Sequence, residues 1–240
     1  FKKIASLTGF TISDFGDLVQ GNNRSPSYGD WGKRTFFVTR VNGYDSAFVN
    51  ENVNVQKESG YKQYNLLQKF LYQHGGQSWS VLNLQYSTSG NIPRYDRLTQ
   101  TTSGGQPKYA EWYYGPQTLL LGSYSLNFGA KKGLFGHARI ILGYQNIEES
   151  RHNRKFKEVD RTHRTEKLDI FSLTSDFEKA LGKHEIRYGV EGVYNIVNSS
   201  AFSEDIVSGK TSPLDTRYPD GGSNMRSLAA YITHTYEAGT

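Results

Sequence analysis

The sequence predicts an all-β, antiparallel fold on three observations. Long segments alternate apolar with polar residues, these segments run about twice the usual strand length, and their connections alternate short with long. The clearest segment is 184–196, H-E-I-R-Y-G-V-E-G-V-Y-N-I. One parity carries Ile186, Tyr188, Val190, Gly192, Tyr194 and Ile196; the other carries Glu185, Arg187, Gly189, Glu191 and Asn195, with Val193 the exception. A strand sends alternate side chains to opposite faces, so one face is apolar and the other charged. Soluble strands cluster at ~5–6 residues, whereas a tilted strand crossing a bilayer needs ~9–11. Alternation, length and aromatic ends together predict an antiparallel transmembrane β-barrel.

In chain order the pattern predicts strands over 33–43, 61–73, 79–88, 112–128, 134–148, 164–180, 183–197 and 225–236, with a further one near 7–19. In 134–146, Leu134, Ala138, Ile140, Leu142 and Tyr144 oppose His137, Arg139, Gly143 and Gln145. In the next strand Phe171, Leu173 and Phe177 oppose Thr174 and Asp176. In 118–128, Leu120, Tyr124, Leu126 and Phe128 oppose Ser123, Ser125 and Asn127. The connections 74–77, 129–133 and 181–182 are short and each contains Gly, suited to the positive φ of a tight reversal. The connections 89–111, 149–163 and 198–224 are long. Outer-membrane barrels have short periplasmic turns and long extracellular loops, so the long loops are expected outside the cell. A Lys or Arg on the lipid face costs ~2–4 kcal/mol at mid-membrane. The apolar parity is therefore expected to meet lipid, with Arg139, Glu185, Arg187 and Glu191 lining the interior.

Composition agrees. The 240 residues include no Cys, which removes disulfides, thiolate metal sites and Cys nucleophiles. Aromatic residues make up 14%. Mean hydropathy is −0.64, and no run of ~18 apolar residues exists for a helical span, which leaves a barrel untouched. The net charge of +5 comes from dispersed basic residues without a nucleic-acid motif, so no nucleic-acid partner is expected. No Gly-x-Ser-x-Gly, His-Glu-x-x-His or phosphate-loop motif occurs, and no enzymatic activity is expected. The N-terminus, F-K-K-I-A-S-L-T-G-F, lacks a signal-peptide pattern, so the chain is expected to be a piece of a longer one.

N-I-P-R-Y-D-R-L-T (91–99), followed by Y-A-E-W-Y-Y-G-P-Q (109–117), resembles TonB-dependent outer-membrane receptors, in particular the heme/hemoglobin receptor group as found in Bacteroidetes-like bacteria. F-G-D-L-V-Q-G from Phe15 and Q-K-E-S-G-Y-K-Q-Y-N-L-L-Q-K-F-L-Y-Q (56–73) are similar to the early barrel of that family. The resemblance covers most of 9–126, and the rest fits by pattern. It implies a receptor in the outer membrane of a Gram-negative bacterium, importing a scarce nutrient, heme or hemoprotein iron first, through a plugged barrel of about 22 strands. Residues 1–240 are then expected to be the front part of that barrel domain, with the plug and C-terminal strands lying elsewhere. The family's F-R-A-P and N-P-N-L boxes, which flank its heme-binding histidine loop, do not occur here, so no ligand residue carries over. Implied partners are the TonB-ExbB-ExbD complex, lipopolysaccharide and a surface lipoprotein. No cofactor is expected to be permanently bound; heme enters as cargo. A siderophore receptor, or a self-contained small porin or adhesin barrel, is the alternative.

Two segments are candidate sites. The basic stretch R-H-N-R-K-F-K-E-V-D-R-T-H-R (151–164) is expected to be an extracellular loop, with His152 and His163 as imidazole ligands for heme iron and Arg151 and Arg154 as partners for propionates or phosphates. Arg94-Tyr95-Asp96-Arg97 is expected to staple a long loop, with Asp96 paired to Arg94 or Arg97 and Tyr95 against the barrel rim. Trp112, Tyr113 and Tyr114 mark the expected headgroup level. Pro116 is expected at a bulge or strand start. No metal site is expected.

Overall fold

A computed structural model describes residues 3–130, 133–218 and 221–239. It is all-β and antiparallel. In chain order the strands are β1 (Ile4–Phe15), β2 (Leu18–Val19), β3 (Phe36–Val41), β4 (Tyr44–Val49), β5 (Val55–Gln56), β6 (Tyr61–Gly75), β7 (Ser78–Ser89), β8 (Ile92–Pro93), β9 (Tyr109–Tyr114), β10 (Thr118–Gly129), β11 (His137–Lys155), β12 (Asp160–Leu181), β13 (His184–Asp205), β14 (Thr211–Pro213) and β15 (Gly222–Tyr236). A one-turn helix, α1 (Tyr95–Leu98), lies between β8 and β9. Among the described residues eleven strands form one sheet, in the order β1-β6-β7-β10-β11-β12-β13, with β14 and β15 both on the far side of β13, β9 also pairing with β11, and β8 pairing with β9. The outer edges of β1 and β15 have no strand partner among the described residues.

Register turns the dyad pattern into two faces. Phe70, Leu82, Tyr124, Leu142, Leu173, Gly192 and Leu228 are successive cross-strand partners from β6 to β15. One residue along, the rung on the other face is Lys69, Asn83, Ser123, Gly143, Ser172, Val193 and Ser227. No second layer covers the apolar face: Leu142 is 54% exposed and Leu228 is 82% exposed. Among the described residues just four hydrophobic side chains are buried, Val38, Leu98, Trp112 and Ala138. The accessible surface is 15856 Å². A compact protein of this mass would expose about 10,800 Å². Among the described residues the fold is thus one extended sheet with little apolar burial, beside which β2-β5 and β3-β4 form two small two-stranded sheets.

Close approach fixes the sheet on its polar face. Tyr231 lies opposite Gly189 and reaches across it to donate a 2.9 Å hydrogen bond to Asp176 on β12. A methyl group on Gly189 would run into the Ser175 backbone carbonyl oxygen and stand 2.6 Å from the Tyr231 ring. An aromatic ring covering a strand glycine in this way pins register.

Four expectations are corrected. The segment 112–128 is two strands. Gly115 and Pro116 break it, Gly115 donating to the Ser150 carbonyl at 3.0 Å and Gln117 N–H donating to Ser89 Oγ at 3.1 Å. The expected loop 149–163 is mostly strand, because β11 and β12 pair rung by rung to Arg154 and Arg161. The expected loop 198–224 begins with eight more residues of β13 before Ile206, and β14 returns against it. The expected strand 33–43 is only the first half of a hairpin, turning at Asn42 and Gly43 into β4. The turn expected near Lys131 lies outside the described residues.

Replacing Gly189 with Ala should cost about 1–3 kcal/mol by overpacking. Denaturant unfolding in detergent should show a lower midpoint than the parent; an unchanged midpoint would show that Tyr231 needs no clearance there.

Candidate functional site

The strands β11, β12 and β13 have 19, 22 and 22 residues. The longest therefore span about 70 Å. Along the apolar face, side chains become polar beyond Tyr144 and Phe171. Tyr144 Oη and Asn146 Nδ2 both donate to Asp169, at 2.7 and 2.8 Å, and Lys167 pairs with Glu148 at 3.0 Å. Two rungs further on lies the densest cluster of functional groups.

The first of its two rows is aromatic. Tyr113, His152, His163 and Phe202 are cross-strand partners from β9 to β13. Tyr113 stacks on His152 at 4.8 Å, and His163 stacks on Phe202 at 4.6 Å. The imidazoles meet between them, His152 Nδ1 to His163 Nδ1 at 2.7 Å. His163 Nε2 bonds to Glu204 at 3.0 Å. One proton arrangement satisfies both contacts with neutral rings: His163 Nε2–H donates to Glu204, and His152 Nδ1–H donates to His163 Nδ1.

The second row is charged. Glu111, Arg154, Arg161 and Glu204 are partners one rung outward. Arg154 forks onto Asp45 of the β3–β4 hairpin, at 2.7 and 2.9 Å. It also reaches Glu111 at 2.9 Å and donates to the Glu158 carbonyl at 2.7 Å. The Arg154 and Asp45 side chains are each 2% exposed. Lys157 N–H adds a 2.8 Å bond to Asp45. Arg161 pairs with Glu111 at 2.7 Å and approaches Glu204 at 3.7 Å. Burial pushes the Asp45 carboxyl up, but the Arg154 and Lys157 bonds outweigh it and hold Asp45 below its ordinary range. Glu111 is likewise lowered: Arg161 and Arg154 together overcome its burial. His152 is pushed from 6.5 down to about 4, by burial first and then by the nearby charges of His163 and Arg161.

The candidate residues from 151–164 are therefore placed differently from the expectation. His152, His163 and Arg154 share one face of a strand pair and are not on a loop. Arg154 is committed to structural ion pairs and is not a free ligand for a propionate. Arg151 is on the opposite face, directly across from Arg164, and neither makes an ion pair among the described residues. Of the four imidazole nitrogens, only His152 Nε2 is not engaged by another side chain. The two rings in their present positions cannot clamp a heme between them. Asp45, Glu111, Phe202 and Glu204 complete the cluster and were not singled out from sequence, and Tyr113, expected at the headgroup level, stacks on His152 within it. A signal existed: R-H-N-R at 151–154 mirrors R-T-H-R at 161–164, so folding the segment at its centre puts like against like.

In the Arg94 segment the expected pairing of Asp96 with Arg94 is present. Arg94 donates to both Asp96 oxygens, at 2.9 and 3.1 Å, and to Tyr114 Oη at 3.0 Å. Its guanidinium lies 4.9 Å over the Trp112 ring. Tyr95, Asp96 and Arg97 sit on α1, and Asp96 pairs with Arg94, not Arg97. Tyr95 and Asp96 line a cleft of 480 Å³ with Trp31 and Gln56. Among the described residues no group of three or more His, Asp or Glu has metal-binding geometry. Comparison with protein-family models finds no match, and no curated protein matches the chain.

Removing one partner of a buried ion pair costs about 3–5 kcal/mol. Arg154→Met should therefore release the β3–β4 hairpin, and hydrogen exchange there should accelerate by about two orders of magnitude. Unchanged protection would mean that Asp45 is held by other contacts. The pH dependence has a defined sign. Below 6.5 the unfolded chain protonates His152 while the folded chain resists until about 4, so stability should fall as pH falls through that window. Asp45 and Glu111, both lowered, keep their contributions there until pH drops below the ordinary carboxylate range. The thermal midpoint should fall across this window in the parent and stay flatter in His152→Gln; equal slopes would assign the effect elsewhere.

Proposed function

We propose that this chain forms the front part of a transmembrane β-barrel in a TonB-dependent outer-membrane receptor, and that heme or hemoprotein iron is its first cargo. The observation that carries the membrane reading is the uncovered apolar rung running from Phe70 to Leu228. On β11–β13 this face is bounded by Phe177 and Tyr188 at one end and by Tyr144, Phe171 and Tyr194 at the other. Tyr188 and Tyr194 are six residues apart along β13, about 20 Å, close to the ~25 Å apolar band between aromatic girdles of outer-membrane barrels. Closure into a barrel asks for further strands at the free edges of β1 and β15. The short turn after β12 then lies on the periplasmic side, and the His/Arg cluster stands outside the cell.

The receptor reading rests on the resemblance of 91–99 and 109–117. These are the segments joined by the Arg94 staple: Arg94 bonds to Tyr114 and lies over Trp112. In this reading energy comes from TonB-ExbB-ExbD, acting through a plug. Lipopolysaccharide and a surface lipoprotein are neighbours, and no catalysis is assigned. Heme as cargo rests on the same resemblance; Arg151 and Arg164, on the face opposite His152, are available to anionic groups. A siderophore or another nutrient is the second choice of cargo.

Deletion of TonB in the source bacterium should abolish heme-dependent growth mediated by the parent protein; uptake that persists would defeat the receptor reading. The cargo is tested separately. Binding of a siderophore without heme or hemoglobin by the purified parent would keep the receptor class and remove heme.

A further inference from the structure

We propose that His152 and His163 form a chelating site for a tetragonal divalent transition-metal ion, Cu(II) or Ni(II), bound through both Nδ1 atoms. The inference is independent of the transport reading and concerns a free aquo ion, not a porphyrin.

Three observations carry it. The first is spacing. Two nitrogens in adjacent positions of a square-planar ion, with bonds of about 2.0 Å, stand about 2.8 Å apart. In a tetrahedral zinc site with bonds of ~2.0–2.1 Å they stand about 3.3 Å apart. The observed separation, 2.7 Å, is that of the hydrogen bond between the rings, so an ion replacing the shared proton meets both Nδ1 atoms, and a tetragonal ion asks the rings to part less than zinc does. The second is orientation. Glu204 takes the Nε2–H of His163 at 3.0 Å. Such a carboxylate partner fixes the tautomer of a metal-bound histidine, leaving Nδ1 as the ligand. Stacking on Tyr113 and Phe202 holds both rings, and the angle of 68° between the ring planes lets the two lone pairs turn onto one ion. The third is charge. Asp45, Glu111 and Glu204 offset the charges of Arg154 and of Arg161, the guanidinium whose charge acts on His152, and Glu204 is bonded to the His163 ring. Binding replaces the N–H···N bond between the rings. The His152 proton moves from Nδ1 to Nε2 through solvent, and water fills the remaining metal positions.

The molecule contains its own control. His184 and His234 also meet, Nδ1 to Nε2 at 2.8 Å, but their rings are nearly parallel at 15°. The two rings are stacked, so their lone pairs lie in separate, nearly parallel planes and do not converge on one ion, and among the described residues no carboxylate is hydrogen-bonded to either ring.

The test is titration of the purified full chain in detergent micelles with Cu(II), Ni(II) and Zn(II), read by calorimetry and, for copper, by paramagnetic resonance. One Cu(II) should bind per chain with two equivalent nitrogen couplings, and Ni(II) should bind more tightly than Zn(II). His152→Ala and His163→Ala should each weaken binding at least ~10-fold, and Glu204→Gln, which keeps the shape of the site, by ~10–100-fold. His184→Ala should leave it unchanged. Absence of binding, a single nitrogen coupling, zinc bound more tightly than nickel, or binding lost in His184→Ala but kept in His152→Ala would each overturn the assignment.

Discussion

One constraint governs the rest of the structure: an eleven-stranded sheet with an uncovered apolar face. Water-soluble β proteins resolve this by packing a second sheet or a helix layer against the first. Here no such layer exists among the described residues, and the accessible surface exceeds the compact value by nearly half. The polar face carries short side-chain bonds such as Ser87 Oγ to Asn65 at 2.6 Å and Tyr231 to Asp176 at 2.9 Å. Two opposite chemistries on one sheet ask for two environments, apolar on one side and aqueous on the other. A bilayer-embedded barrel wall provides both.

The portion beyond the apolar band faces a different problem. Strands β11–β13 continue outward without a hydrophobic core, and an extended ribbon of this length is not self-supporting in water. The chain replaces the missing core with the paired rows of rings and ions. Arg154 is the central group, joining β11 to the β3–β4 hairpin, to β9 and to the backbone of the turn. Buried ion pairs of this kind do not guarantee stability, because desolvation offsets much of the Coulomb gain. What the pair secures here is position: losing either partner strands a buried charge, so the hairpin carrying Asp45 has one favoured seat. The histidine pair is held inside that frame, with its ring planes set by neighbours on either side.

Much of the sheet was legible in the sequence, and its failures have physical causes. Period-two alternation located β6, β7 and β10 to β13, because each of these strands sits between two unlike environments. The same criterion fails where both faces are polar. Residues 149–163 carry charge on both parities, so composition suggested a loop, although the near-mirror order of 151–154 and 161–164 encodes the hairpin. The β3–β4 hairpin was half seen; Asn42 and Gly43 both take positive φ, 50° and 82°, the conformation that favours Asn-Gly in a two-residue turn. The break at Gly115 and Pro116 was anticipated as an irregularity but not as the end of a strand. The Arg94 staple was readable because its partners are two residues apart. The cluster around Arg154 was not, because Asp45 is 109 positions away and nothing local announces the contact.

The central claim is that the face bearing Leu142 and Leu173 meets lipid while the face bearing Ser123 and Ser172 does not. The chain has no cysteine, so single cysteines at these four positions can each carry a nitroxide label in reconstituted bilayers. Collisional relaxation by oxygen, which concentrates in lipid, and by a water-soluble nickel complex then reports the environment of each. The account predicts high oxygen and low nickel accessibility at 142 and 173, with no oxygen enrichment at 123 and 172. Equal accessibilities on the two faces, or oxygen enrichment at the serine positions, would contradict it.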